Sequence, residues 1–158
     1  VRSVLLFGGT GFIGNRLIPH LESEGWRVTS LKRGEQGWDG KSRGAWESNL
    51  DTADAVINLA GAPVTLPWTP KNRQLITDSR VNSTSVIAEV LASRSLRPAV
   101  WLNASAVGYY GDRGDEVLHE ASPAGTGFLA DVCVAWEDAL FQPALDGVRR
   151  VAVRTGIV

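Results

Sequence analysis

At 158 residues and 17.0 kDa, with 44% hydrophobic and 21% charged residues and a formal net charge of -1, the chain has the balance of one soluble globular domain. That balance excludes a disordered tail, a collagen-like fibre and a repeat array, and the near-neutral charge supplies no pull toward nucleic acid or an anionic membrane surface. The single cysteine, Cys133, excludes an internal disulfide framework and a cysteine zinc cluster.

A reducing, cytoplasmic setting is the simpler expectation. No apolar run approaches the roughly 18 residues of a membrane span, and no signal peptide is expected at the start. The chain contains no methionine, so import of a processed form into an organelle stays open.

Val4 to Phe7 is a short continuous apolar run that stops at Gly8, as a buried parallel strand does. Residues 12 to 24 carry Ile13, Leu17, Ile18 and Leu21 at helical spacing and end at Gly25. Pro19 inside that stretch removes the hydrogen bond to the Asn15 carbonyl, a cost of about 3 kcal/mol, and predicts a bent helix rather than a broken one. Trp26 to Leu31 reads as a second strand. Gly34 to Gly44 is glycine-rich, with a short strand expected around Ala45-Trp46. Ala55 to Leu59 is a buried strand, and Pro63, Pro67 and Pro70 hold the loop after it.

A long helix is expected from about Lys71 to Ser93, with Leu75, Ile76, Val86, Ile87, Val90 and Leu91 inward. Val100-Trp101-Leu102 is another strand, and residues 106 to 126 form a glycine- and acid-rich connection. Phe128, Val132, Trp136 and Leu140, at steps of four, mark one helix face. Val148 to Val153 is the last strand. Such alternation predicts an α/β fold, a doubly wound parallel sheet with helices on both faces, in a single domain spanning residues 1 to 158.

Gly8-Gly9-Thr10-Gly11-Phe12-Ile13-Gly14 follows the first strand and opens the first helix. It satisfies G-x-x-G-x-x-G through Gly8, Gly11 and Gly14, and G-x-G-x-x-G through Gly9, Gly11 and Gly14. One glycine turns the chain, one lets backbone approach a pyrophosphate, and Gly14 lets helix and strand pack closely. The helix start offers unpaired N–H groups and a partial positive charge for the phosphates. A tight turn without a ligand is the alternative, but the strand-to-helix context favours a dinucleotide. The second strand runs into Lys32-Arg33, with no acid at the turn. Two cations there suit a 2′-phosphate better than a ribose diol, so NADP(H) is expected over NAD(H), a solvated basic turn being the alternative.

Together with the glycine loop, Asn58-Leu59-Ala60-Gly61, Trp68-Thr69, Ser79-Arg80, Gly108-Tyr109-Tyr110-Gly111-Asp112, Phe128-Leu129-Ala130 through Cys133 to Trp136-Glu137, and Arg154-Thr155-Gly156 occur in order. In these motifs the chain resembles an extended short-chain dehydrogenase/reductase, and more closely the atypical "epimerase family" subgroup. The resemblance implies a Rossmann-like domain with an NADP(H) pocket. Gly8, Gly9, Thr10, Gly11, Phe12, Ile13 and Gly14 would cradle the pyrophosphate, and Lys32 and Arg33 would meet the 2′-phosphate. Asn58, Leu59, Ala60 and Gly61 would line the coenzyme, Arg80 would touch it, and Leu129 would stand beside the nicotinamide. The resemblance also implies a C-terminal substrate lobe, and this chain ends where that lobe would begin.

A short-chain reductase of the usual kind pairs Tyr with Lys four residues later, the ammonium lowering the phenol pKa for proton exchange. The only tyrosines here are Tyr109 and Tyr110, and the lysines are Lys32, Lys41 and Lys71. No such pair exists. With the register set by Glu137, the tyrosine place holds Leu129 and the lysine place Cys133.

Ser105 matches the family serine that bonds a substrate carbonyl, and Tyr110 or Tyr109 is the remaining candidate proton donor. Backbone satisfaction of Ser105 and aromatic packing of the tyrosines are the bland alternatives. Cys133 reads as a small buried hydrophobe, and His20 and His119 as solvated. Asp112, Asp115, Glu116 and Glu120 read as a polar lid rather than a metal site. Trp46 or Trp68 is expected beside the coenzyme or the substrate mouth. Two functions follow: an oxidoreductase or epimerase acting on a small carbonyl or hydroxyl compound, or a catalytically vestigial coenzyme-binding regulatory module.

Overall fold

The computed structural model describes residues 1 to 157. Five strands form one parallel sheet: β1 (Ser3–Phe7), β2 (Arg27–Leu31), β3 (Ala55–Asn58), β4 (Val100–Ala106) and β5 (Arg149–Thr155). Three helices connect them: α1 (Phe12–Ser23), α2 (Pro70–Ala92) and α3 (Phe128–Phe141). The strand order is β2-β1-β3-β4-β5. β1 lies between β2 and β3, with Leu6 opposite Ser30 on one side and Ile57 on the other. The chain therefore runs outward from β1 to β2 and returns across β1 to β3. A crevice opens where the order reverses, outside the carboxyl ends of β1 and β3.

Alternation along the strands divides the core. Leu5, Phe7, Val56 and Trp101 point to the face covered by α2 and α3, where they meet Ile87, Val90, Leu91 and Leu140. Val4, Leu6, Ala55 and Ile57 point to the opposite face, against Leu17, Ile18 and Leu21 of α1. β1 and β3 are buried on both sides, as central parallel strands are.

The Ala45-Trp46 strand does not form. Ala45–Thr52 is a 3-10 helix instead. The Glu47 carboxylate accepts the Gly44 N–H at 3.1 Å and pairs with Arg43, which closes a local turn, and the Ala45 and Trp46 carbonyls accept from the Ser48 and Asn49 side chains. The sheet thus has five strands where six were expected. Trp46 is fully buried, edge-on to Phe7 and Trp38.

α1 continues through Pro19. Asn15 and Pro19 are both exposed, so water can satisfy the carbonyl that Pro19 leaves without its donor. Thr69 caps α2 by accepting the Asn72 N–H at 3.2 Å, and Pro70 takes the first helical position, where its missing N–H costs nothing. Among the described residues no helix is long and apolar enough to cross a membrane.

Candidate functional site

Four glycines shape the turn from β1 into α1, for two different reasons. Gly8 has φ +78°, and a Cβ on it would lie 2.9 Å from the Leu59 carbonyl carbon and the Ala60 nitrogen. A Cβ on Gly9 would lie 2.1 Å from Ser30 Oγ, and one on Gly14 would lie 2.3 Å from the Gly9 carbonyl oxygen. These three are required by the close approach of chain to chain. Gly11 is not. Its φ of -75° and ψ of 176° suit any residue, and a Cβ there would meet only the Gly8 oxygen, at 3.4 Å.

Gly11 caps α1, and its carbonyl accepts the helix's first bond, from the Asn15 N–H at 2.9 Å. The amides of Phe12, Ile13 and Gly14 precede that bond. No side chain caps them, and no acid lies in the first turn. An uncapped helix start with bare space at Gly11 fits an anion brought close to the backbone.

The crevice beside this turn has a volume of about 330 Å³. Gly8 and Thr10 line it from the glycine turn, Ala60 and Gly61 from the β3 exit, and Lys32 and Arg33 from the β2 exit. The aromatic wall is Trp38, not the expected Trp46 or Trp68. Trp68 is half-exposed and packs edge-on against Phe128, with Arg73 over both rings. Among the described residues Arg33 forms no ion pair. Lys32 does: its ammonium is 3.3 Å from Glu35, whose other oxygen accepts the Lys32 N–H at 3.0 Å. The turn therefore carries an acid that the expectation of a bare cationic pair left out.

The β3 exit is held from behind. Asn58, expected among the coenzyme contacts, is fully buried. Its amide donates to Asn103 Oδ1 at 2.9 Å, and its oxygen accepts the Ala60 N–H at 3.1 Å. It orients the wall without facing the crevice. Arg80 donates to the Ala62 and Ile76 carbonyls, both at 3.0 Å, and its guanidinium carbon would lie 3.1 Å from a Cβ on Gly61. Burial pulls the Arg80 pKa down.

A second polar cluster sits at the ends of β4 and β5. Ser105 is buried and donates to Glu137 Oε1 at 2.6 Å. Glu137 also takes two bonds from Arg154, each at 2.8 Å. Arg154 donates to Tyr110 Oη at 2.9 Å and to the Glu120 carbonyl at 3.2 Å, and lies 3.5 Å from the Tyr109 ring centroid. Burial pushes the Glu137 pKa up, but the bonds from Arg154 and Ser105 outweigh it and leave the carboxyl below its ordinary value. Arg154 is correspondingly raised, chiefly by Glu137. The hydroxyl expected to greet a substrate carbonyl is thus donated inward, and Tyr110 Oη accepts from a guanidinium. In the connection above, Arg113 pairs in a two-pronged manner with Glu116, so the acidic stretch is internally tied.

The NAD dependent epimerase/dehydratase family model matches residues 4–127. The chain belongs to that family. The "Epimerase family protein SDR39U1 homolog, chloroplastic" of Arabidopsis thaliana is 34% identical over 99% of this chain and 49% of its own length. A Corynebacterium glutamicum nucleoside-diphosphate sugar epimerase structure is 37% identical, with TM-score 0.83, over 99% of this chain and 34% of that one. The human epimerase family protein SDR39U1 (isoform 2), solved with NADPH, is 28% identical, with TM-score 0.79, over 96% of this chain and 52% of that one. The chain spans about half the length of the curated relatives it matches. The fold is the Rossmann-type nucleotide-binding fold of these epimerases.

Leu129 and Cys133, four residues apart on α3, both lie against the turn at Gly108: a Cβ on Gly108 would lie 3.5 Å from Leu129 Cβ and 3.7 Å from Cys133 Sγ. Cys133 is buried, and burial followed by the Glu137 charge pushes its thiol up. It stays neutral and cannot stand in for an ammonium. Sequence reasoning missed Glu137 and Arg154 as partners of Ser105 and Tyr110. Glu137 lies one helical turn beyond Cys133, which was the available signal for its pointing the same way.

Proposed function

We propose that this chain binds NADP(H) in the β1–β3 crevice and forms the coenzyme-binding part of an oxidoreductase or epimerase acting on a small carbonyl or hydroxyl compound. The observation that carries this reading is a crevice lined by Thr10 and by two cations at the β2 exit, with an uncapped helix start following directly on Thr10 at Gly11, a glycine with no steric need to be one. The Thr10 to Gly14 backbone would hold the pyrophosphate, Arg33 and Lys32 the 2′-phosphate, and Leu59, Ala60 and Gly61 the coenzyme's flank. When bound, the coenzyme supplies hydride chemistry.

This chain's own contribution is to bind and orient. Gly61 stays side-chain-free so that Arg80 can brace the Ala62 carbonyl, and Leu129 would exclude water beside the nicotinamide. For Ser105 to polarise a substrate oxygen, its hydroxyl would have to leave Glu137. Tyr110 Oη, already accepting from Arg154, keeps its own proton free to donate.

A second reading, a coenzyme-binding regulatory module without turnover, is favoured by the lack of any tyrosine with a lysine four residues on; Leu129 and Cys133 would stand in that pair's place. Titration with NADPH and NADH, read by tryptophan fluorescence, tests the common core. NADPH should bind more tightly than NADH; equal affinity removes the role given to Lys32 and Arg33. NADPH binding without turnover across a panel of carbonyl compounds would decide for the regulatory module.

A further inference from the structure

The β2 exit is not a simple cationic cradle. Lys32 and Arg33 both line the crevice. Glu35, three residues on, is not among the lining residues and bonds Lys32 twice. One of its oxygens accepts the Lys32 backbone N–H and the other holds the Lys32 ammonium, while the Glu35 N–H donates to the Lys32 carbonyl at 3.1 Å. The Lys32 backbone bond, then desolvation opposing it, then the ammonium set the Glu35 carboxyl below its ordinary value, so it is ionised at neutral pH. Gly34, at φ +94°, and the Trp38 carbonyl that accepts its N–H at 2.8 Å close the same turn. Glu35 is thus built into the loop that presents the two cations.

Charge decides what this does. A phosphate on the adenosine ribose is close to a dianion at neutral pH, whereas a ribose diol is uncharged. The dianion draws on both cations. Arg33 is free to answer, but Lys32 must leave Glu35 or be shared with it. The diol asks nothing of Lys32. A carboxylate paired with Lys32 would therefore weaken the phosphorylated coenzyme selectively.

We propose, resting on the coenzyme reading of this crevice, that Glu35 is a specificity-determining residue: by holding the Lys32 ammonium it limits the preference for NADP(H) and keeps NAD(H) within the protein's reach. Both side chains are about half-exposed (59% and 42%), so the pair is worth little and the effect is modest.

The test measures dissociation constants for NADPH and NADH, by tryptophan fluorescence, for the chain, Glu35→Gln, Lys32→Gln and the double variant, at low and high salt. Gln keeps an oxygen for the Lys32 N–H and removes only the charge. Glu35→Gln should tighten NADPH by about two- to five-fold and leave NADH unchanged. The gain should vanish at high salt, and it should be absent when Lys32 is already Gln. Lys32→Gln reads the same coupling from the other partner.

An unchanged NADPH/NADH ratio, an equal shift for both coenzymes, or a gain that survives Lys32→Gln overturns the proposal. Should the unaltered chain prefer NADPH while Glu35→Gln does nothing, the coenzyme reading stands and only the Glu35 role falls. Should it bind neither coenzyme, both fall.

Discussion

The molecule holds two polar regions a few strands apart, and they treat hydrogen-bond donors in opposite ways. At the ends of β1 to β3, the amides of Phe12, Ile13 and Gly14 precede the first helical bond, and Arg33 has no carboxylate partner among the described residues. At the ends of β4 and β5, Ser105, Tyr110, Glu137 and Arg154 bond to one another. Leaving donors open costs stability unless water or a ligand satisfies them. Closing them gives stability and consumes the groups that a substrate would use. The first region keeps its donors available, as the proposed coenzyme site requires, and the second ties α3, β5 and the Tyr109–Tyr110 turn together.

The sharpest way to break that contrast is a pair of glycine substitutions. Gly11→Val should abolish NADPH binding, a loss of more than about 100-fold or about 3 kcal/mol, while costing about 1 kcal/mol of stability for a poorer helix cap. Gly14→Ala should do the reverse and lower stability by about 3 kcal/mol, because its Cβ would sit 2.3 Å from the Gly9 oxygen. Fluorescence titration and thermal melting separate the two outcomes. Normal NADPH binding by Gly11→Val would show the phosphate cradle to be elsewhere.

The second region should answer to stability rather than to binding. Glu137→Gln removes the charge that Arg154 and Ser105 address and should cost about 2 kcal/mol, less than the 3–5 kcal/mol of a fully buried broken pair, because Arg154 is 18% exposed and can find water. The pH dependence has a definite sign. The folded-state pKa of Glu137 lies below its unfolded value of about 4.3, so its contribution is fully present above that pH and is lost as pH falls through the folded value. The difference in melting temperature between the unaltered chain and Glu137→Gln should therefore be constant from about pH 5.5 to 8 and shrink below about pH 4. A constant difference down to pH 3 would refute the paired carboxylate.

The contrast also explains what could be read from the sequence. Strand runs such as Val4 to Phe7 and the glycine turn are local patterns, and they mark the sheet and the crevice directly. The Ala45-Trp46 segment misled because a 3-10 helix of eight residues carries no long period, and what sets it is the local Gly44–Glu47 bond. Trp38 was overlooked beside Trp46 and Trp68, since composition does not say which tryptophan a turn exposes to a crevice. The closed cluster was illegible for a different reason. Ser105 and Glu137 are 32 residues apart, and Tyr110 and Arg154 are 44 apart; only the packing of α3 on β4 and β5 brings them together. Glu35 was within reach of local reading, at the i+3 position from Lys32, but a search for an acid at the end of the strand stops before it.

Smaller effects sharpen the first region from within. Arg33→Ala should weaken NADPH about ten-fold or more and leave NADH within about two-fold, as expected for a charge-assisted bond from an unpaired guanidinium. Lys32→Ala should do less, about two- to three-fold, although both cations line the same crevice. The Lys32 ammonium already has a partner at 3.3 Å, so a phosphate gains from it only the difference between two exposed pairings. If Lys32→Ala and Arg33→Ala weaken NADPH equally, Glu35 does not restrain the lysine, and the unequal roles of these two adjacent cations must be abandoned even though the crevice keeps its coenzyme.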